Sequence, residues 1–145
     1  MSTRSKTKNV DPAAYKPMLA LEKYISESSL DKAHYELIKI RASQINGCSY
    51  CLDMHSKDAR KIGVSEQKIY LLSAWKETPF YTEEERTILA LTEEITLIAN
   101  HGVSDEVYNK AVEILGEAYT KVVLMAVITI NAWNRIGVTD KLMPE

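Results

Sequence analysis

Signals for β-strands are nearly absent from this chain of 145 residues. Glycine occurs only five times, few for a fold built on tight hairpin turns, and the apolar residues recur at helical spacing almost throughout. No basic block is interleaved with aromatics, which argues against nucleic acid as a partner. Twenty acidic residues against eighteen basic ones leave a net charge of only −2. The start of the chain sets Arg4, Lys6 and Lys8 among Ser, Thr and Asn, without the apolar run of a signal peptide. The longest apolar run, Val122 to Ile130, is far short of a membrane span. The expectation is a soluble, cytoplasmic protein with neither a membrane nor a nucleic-acid partner. There are two cysteines, and in that compartment they point to catalysis or metal binding rather than to a permanent bridge.

What is present suffices for a core, since 46% of the residues are hydrophobic. The chain length predicts one compact unit, an all-helical domain over 11–145 behind a polar tail over 1–10. The periodicity predicts an all-α protein of about seven helices. The first covers about Asp11 to Ser26, with Pro17 starting, kinking or ending it. The second starts after Ser28 or Ser29 as N-cap and ends near Asn46-Gly47. The third carries both cysteines and runs through Ala59 and Ile62. The fourth covers about Glu66 to Lys76 and is broken by Thr78-Pro79. The fifth is capped by Thr82, with Glu85 completing a capping box and the Glu83-Glu84-Glu85 run forming a solvated first turn, and reaches about Asn100. The sixth covers about Asp105 to Leu115, and the last about Glu117 to Arg135.

The centre of that last helix is apolar on all sides, which suits a core helix or a subunit contact. Three junctions share one wording: Gly63-Val64-Ser65-Glu66, Gly102-Val103-Ser104-Asp105 and Gly137-Val138-Thr139-Asp140. In each, the glycine reads as closing one helix and the hydroxyl residue as capping the next.

Chemistry concentrates between Gly47 and His55. On a helix, Cys48 to Cys51 and Cys51 to His55 are steps of three and four residues, so at about 100° per residue all three side chains share one stripe. A helix beginning at Gly47-Cys48 puts Cys48 beside unpaired N–H groups, which favours a thiolate. His55, one turn on, can take a proton from Cys51 directly or through water. Glu36 falls on the core stripe of the second helix, between Ala33 and Ile40. Two readings stay open for it: a partly buried acid that exchanges protons near neutral pH, or an ion pair with Lys32 or Lys39 at the solvent edge.

A metal reading is open as well, because Cys48, Cys51, His55 and Glu36 could offer four zinc ligands. Three of the four on one helical stripe do not readily converge on a tetrahedral centre, so no metal is expected. His34 and His101 read as surface or helix-end residues, and Trp75 and Trp133 as core or interface anchors. Asn134 and Arg135 are open between a subunit contact and a wall of the site.

Glu36, then eleven residues, then Cys48-x-x-Cys51-x-x-x-His55 resembles the signature of the alkylhydroperoxidase D-type branch of the carboxymuconolactone decarboxylase family. The stretches from Arg41 to Cys51 and from Asn131 to Arg135 resemble that family's wording too. The resemblance implies an all-helical fold assembled as a trimer or hexamer, and a peroxidase-like oxidoreductase. It implies that Cys51 attacks the peroxide, that Cys48 resolves it in a Cys48–Cys51 redox disulfide, and that Glu36 and His55 relay the proton. Tyr50 stands where the best-known branch has a histidine; its phenol can donate a hydrogen bond but is a poor base. The resemblance also implies no bound cofactor and an external dithiol reductant such as a lipoyl-bearing protein. Two other activities go with the same residues less well. A dithiol sensor would form the disulfide without turnover, and the lactone decarboxylase chemistry of the wider family does not rest on a dithiol.

Overall fold

The computed structural model describes residues 4–145, so the first three residues of the expected tail lie outside the described residues. Among the described residues there is no strand. The helices are α1 (Thr7–Val10), α2 (Tyr15–Ser26), α3 (Lys32–Asn46), α4 (Ser49–Lys61), α5 (Glu66–Tyr70), α6 (Glu83–Thr96), α7 (Ile98–His101), α8 (Asp105–Leu115) and α9 (Glu117–Thr139), with 3-10 segments at Pro12–Ala14 and Leu72–Glu77. Each of the seven expected helices is present. Additional short segments arise where an expected helix splits, and α1 lies within the stretch expected to be a polar tail. The first begins as a 3-10 turn, the fourth gives way to the 3-10 segment after Tyr70, and the fifth breaks at Leu97, leaving α7 as a separate turn. Pro17 lies in the first turn of α2, where no intrahelical donor is lost.

Helix α3 is the central element. Ile38 and Ala42 face one apolar cluster with Ile88 and Leu91 of α6 and Val123, Ala126, Val127 and Ile130 of α9. Leu37 and Ile40 face a second cluster with Ala59 of α4, Ile69 of α5, and Leu72, Trp75 and Leu89. Each fully buried aliphatic side chain here contributes about 1.5–3 kcal/mol relative to exposure. Helix α9 is long and apolar enough by composition to cross a membrane, yet 44% of its most apolar window is buried inside this fold; Val123, Ala126, Val127 and Ile130 make it a core helix.

Local chemistry sets the helix ends. Gly47 closes α3 in the left-handed region at φ +67°, which glycine adopts without penalty. The N-cap of α3 is Asp31, not Ser28 or Ser29; its Oδ1 accepts from the N–H groups of Ala33 (2.8 Å) and His34 (3.1 Å). Ser28 is occupied in closing α2, donating to the Ile25 carbonyl. Ser65 and Ser104 cap α5 and α8 as expected, each after a positive-φ glycine. Thr82 and Glu85 form the expected capping box. Glu85, however, is buried against Lys68 and is no part of a solvated turn.

The third junction does not exist. Gly137 lies inside α9, which continues through Thr139, and Asp140 instead accepts hydrogen bonds from the backbone N–H and hydroxyl of Thr7.

Candidate active site

Cys48 is the N-cap of α4, not a member of its first turn. Its backbone is extended (φ −88°, ψ 94°), and its Sγ accepts from the Cys51 N–H at 3.3 Å. That departure from helical geometry brings the two cysteines together: their Cα atoms are 5.3 Å apart and the sulfurs form a Cys48–Cys51 disulfide. Two ideal helical positions would hold the Cβ atoms about 5–6 Å apart, too far for a disulfide, which needs about 3.5–4.5 Å.

The turn before Cys48 is held by an amide network across to α9. Asn46 Nδ2 donates to Asn131 Oδ1 and Asn134 Oδ1, both at 2.9 Å, and Asn134 Nδ2 donates to Ser43 Oγ at 2.9 Å. Asn134 is therefore a buried tie between α3 and α9, neither a subunit contact nor a wall of the site. Arg135 is exposed and donates to the Asn131 carbonyl.

Gly137 explains why α9 can pass so close. A Cβ at this position would stand 2.9 Å from Cys48 Sγ and 3.5 Å from Cys51 Sγ. The sulfur pair fits against α9 because residue 137 has no side chain.

Cys51, His55 and Tyr50 open onto a cleft of about 760 Å3; Cys48 does not line it. Its further walls include Lys6 and Lys8 near the start, Tyr15 and Leu19 of α2, Lys39 of α3, Trp133, Ile136 and Gly137 of α9, and Leu142 and Met143 after it. Trp133 thus packs on the core and also walls the cleft, with its indole N–H on Glu22 Oε1 at 3.0 Å and Tyr15 edge-on at 5.3 Å. Trp75 belongs to the second apolar cluster. His34 is bonded to the Tyr119 hydroxyl at 2.8 Å, and His101 is an exposed helix end.

Glu36 and His55 meet behind Cys51. They are 9% and 8% exposed, and Glu36 Oε2 lies 3.4 Å from His55 Nδ1. The approach is near enough for an ion pair but not aligned as a hydrogen bond, so both atoms are buried without a hydrogen-bond partner. Such atoms are rare in folded proteins. The other oxygen, Glu36 Oε1, accepts from Lys39 Nζ at 2.7 Å. Of the sequence alternatives for Glu36, the ion pair is present with Lys39 as the partner, but it is buried beside the imidazole, not at the solvent edge.

The Lys39 ammonium also lies 4.0 Å above the Tyr35 ring, whose hydroxyl donates to Glu22 Oε2 at 2.9 Å. Burial first, then the Glu22 carboxylate, hold the Tyr35 phenol far above its ordinary value, so it stays a donor.

In the disulfide form the two sulfurs are bonded to each other and are not offered as zinc ligands. The metal-ligating atoms that do converge are those of Glu36, His55 and Asp58, within 4.8 Å of one another. Lys39 and Lys61 already sit on the two carboxylates at 2.7 and 2.9 Å, which opposes a further cation there. The Lys61 hydrogen bond, aided by the charges of Lys61, His55 and Lys39, holds Asp58 below its ordinary value.

Sequence reasoning named Lys39 only as a competing partner and misread Gly137 as a turn. Lys39 was findable, being three residues after Glu36 on the same stripe. The close approach of Gly137 to both sulfurs left no local signal.

Comparison with known proteins bears on the family and the fold. The sequence profile of the Carboxymuconolactone decarboxylase family matches residues 12–94. The uncharacterized protein YdfG of Bacillus subtilis is 45% identical over 138 residues, 95% of this chain and 94% of its own. The alkyl hydroperoxide reductase AhpD of Nocardia farcinica is 41% identical over 46 residues, a match spanning 32% of this chain and 26% of that protein. Among solved structures, the Agrobacterium tumefaciens protein of unknown function ATU0492 superposes with a TM-score of 0.95 at 39% identity, covering 99% of both chains. The debrominase Bmp8 shares the fold alone, with a TM-score of 0.84 at 20% identity over 96% of this chain and 75% of its own. This chain is an alkylhydroperoxidase D-like member of the carboxymuconolactone decarboxylase family.

Proposed function

We propose that the protein is a thiol-dependent peroxidase that reduces hydrogen or organic peroxides through the Cys48–Cys51 dithiol. The observation that carries this reading is the asymmetry of the two sulfurs. Cys51 faces the cleft beside His55, and Cys48 lies behind it as its bonded partner.

In the reduced protein, the Glu36–His55 pair draws the proton from Cys51. The Cys51 thiolate attacks the peroxide; an S–O bond forms, the O–O bond breaks, and the leaving alkoxide takes a proton to depart as an alcohol, or as water from hydrogen peroxide. Cys51 is left as a sulfenic acid. The Cys48 thiol attacks that sulfur, releasing water and closing the disulfide. An external dithiol, such as a lipoyl-bearing protein, then reduces the disulfide by exchange and is itself oxidised. No bound cofactor enters this cycle. Cys48 sits at the mouth of α4 with its Sγ on a backbone N–H, an environment that favours a thiolate in the exchange step. The reading places the protein in the reducing cytoplasm, where the donor can regenerate it.

The test is peroxide consumption with a dihydrolipoyl donor by wild type, Cys48→Ser and Cys51→Ser. Turnover in wild type that both substitutions abolish supports the cycle; equal rates in all three remove it. Disulfide formation in wild type without turnover by any dithiol donor marks a sensor instead.

A further inference from the structure

We propose that Lys39 is a positioning residue for the thiol-activating pair: its ammonium holds one oxygen of the Glu36 carboxylate so that the other, Oε2, faces His55. The inference rests on the dithiol chemistry above and adds a third member to its relay.

Lys39 is 8% exposed, a burial that lysine rarely adopts without a partner. Its Nζ is fixed from two sides, by Glu36 Oε1 at 2.7 Å and by the Tyr35 ring at 4.0 Å. The Tyr35 ring is itself anchored through its hydroxyl to Glu22. With one carboxylate oxygen so occupied, only Oε2 remains for His55, 3.4 Å away. Without that hold the carboxylate is free to turn, and Oε2 no longer faces the imidazolium that forms when His55 accepts the Cys51 proton. Lys39 thus acts on Cys51 through Glu36 and His55.

The other charged groups around the pair are already accounted for. Asp58 on α4 is tied to Lys61, Tyr35 on α3 stays protonated, and Glu22 on α2 accepts from Tyr35 and Trp133. Lys39 is the cation in direct contact with Glu36.

The experiment uses the full chain with Cys48→Ser, which leaves Cys51 as its one cysteine. The pH midpoint for alkylation of Cys51 by iodoacetamide is measured with Lys39→Met, Lys39→Arg, Glu36→Gln, and Lys39→Met combined with Glu36→Gln. Lys39→Met is expected to raise the midpoint by about one pH unit, at the lower end of what a charge within about 4–6 Å does to an ionisation. That is a roughly tenfold slower reaction at neutral pH. Glu36→Gln should do the same, the combination should add nothing, and Lys39→Arg should restore the parent midpoint.

A Lys39→Met curve that superimposes on the parent overturns the proposal, as does a combined variant displaced beyond Glu36→Gln alone. If Lys39→Met fails to fold, the comparison of the combined variant with Glu36→Gln decides, since that pair of changes leaves no lone buried charge. The assay needs neither peroxide nor donor. Peroxidase turnover with an unmoved Lys39→Met midpoint sinks this inference alone, and a moved midpoint without turnover sinks the peroxidase reading alone.

Discussion

A β-carbon on residue 137 would stand 2.9 Å from Cys48 Sγ, closer than carbon and sulfur tolerate. Gly137→Ala should therefore act on the sulfurs more than on α9, whose helical backbone accepts alanine readily. We expect it to destabilise the oxidised protein by about 1–3 kcal/mol, the usual cost of overpacking, and the reduced protein by less, since free thiols can rotate away. Thermal unfolding of both forms checks this; equal losses would mean that the missing side chain serves packing in general. At this scale the sequence was most informative where chemistry follows spacing. Glu36, Cys48, Cys51 and His55 could be named because three fall at helical spacing in the sequence, although Cys48 is the N-cap of α4, and the fourth is an acid among apolar positions of α3. Gly137 could not, because the need for glycine there arises from atoms nearly ninety residues earlier in the chain.

Helix ends were legible where a hydroxyl residue follows a glycine, as at Ser65 and Ser104, and at the capping box of Thr82 and Glu85. They were misplaced where two polar residues competed, as at Ser28 and Asp31. Asp31→Ala should cost about 1 kcal/mol, the usual worth of a cap, measured by denaturant unfolding; Ser29→Ala should cost much less.

Elements are also joined by a partly buried acid. Glu93 of α6 accepts from Arg41 Nε of α3 at 2.9 Å and from Trp75 Nε1 at 2.8 Å, with Lys76 at 3.3 Å. Burial works against its charge, but the Trp75 and Arg41 hydrogen bonds and the two cations outweigh it and hold the carboxyl below its ordinary value. A group depressed in the folded state contributes stability above its unfolded value and loses it as pH falls through the folded one. Wild type should therefore lose stability on acidification below about pH 4–5. Glu93→Gln should be less stable by about 2 kcal/mol at neutral pH, the worth of hydrogen bonds to a charged group, with a shallower acid dependence over that window. Parallel acid-unfolding curves would show that this tie does not carry the effect.

On the scale of the whole molecule, helical periodicity was enough for an all-α class, because every core helix shows its apolar stripe. The cleft was not legible. Its walls combine residues near the start, α2, α3, α4, the end of α9 and the segment after it, joined by contacts such as Thr7 to Asp140 that leave no periodic trace. Self-association belongs to this scale too. Ile128 is 42% exposed on the core helix α9, and Leu97 and Ile98 are similarly open; apolar groups left in water favour a subunit contact. Light scattering should give a trimer or hexamer, and a monomer at micromolar concentration would contradict that assembly.

The most direct measurement follows the oxygen atom. Reduced Cys48→Ser and Cys51→Ser proteins are each given one equivalent of an organic hydroperoxide with a sulfenic-acid trap and examined by mass spectrometry. The account predicts a trapped sulfenic acid on Cys51 when Cys48 is replaced, and none on Cys48 when Cys51 is replaced. A trap adduct on Cys48, or none on either protein, would contradict it.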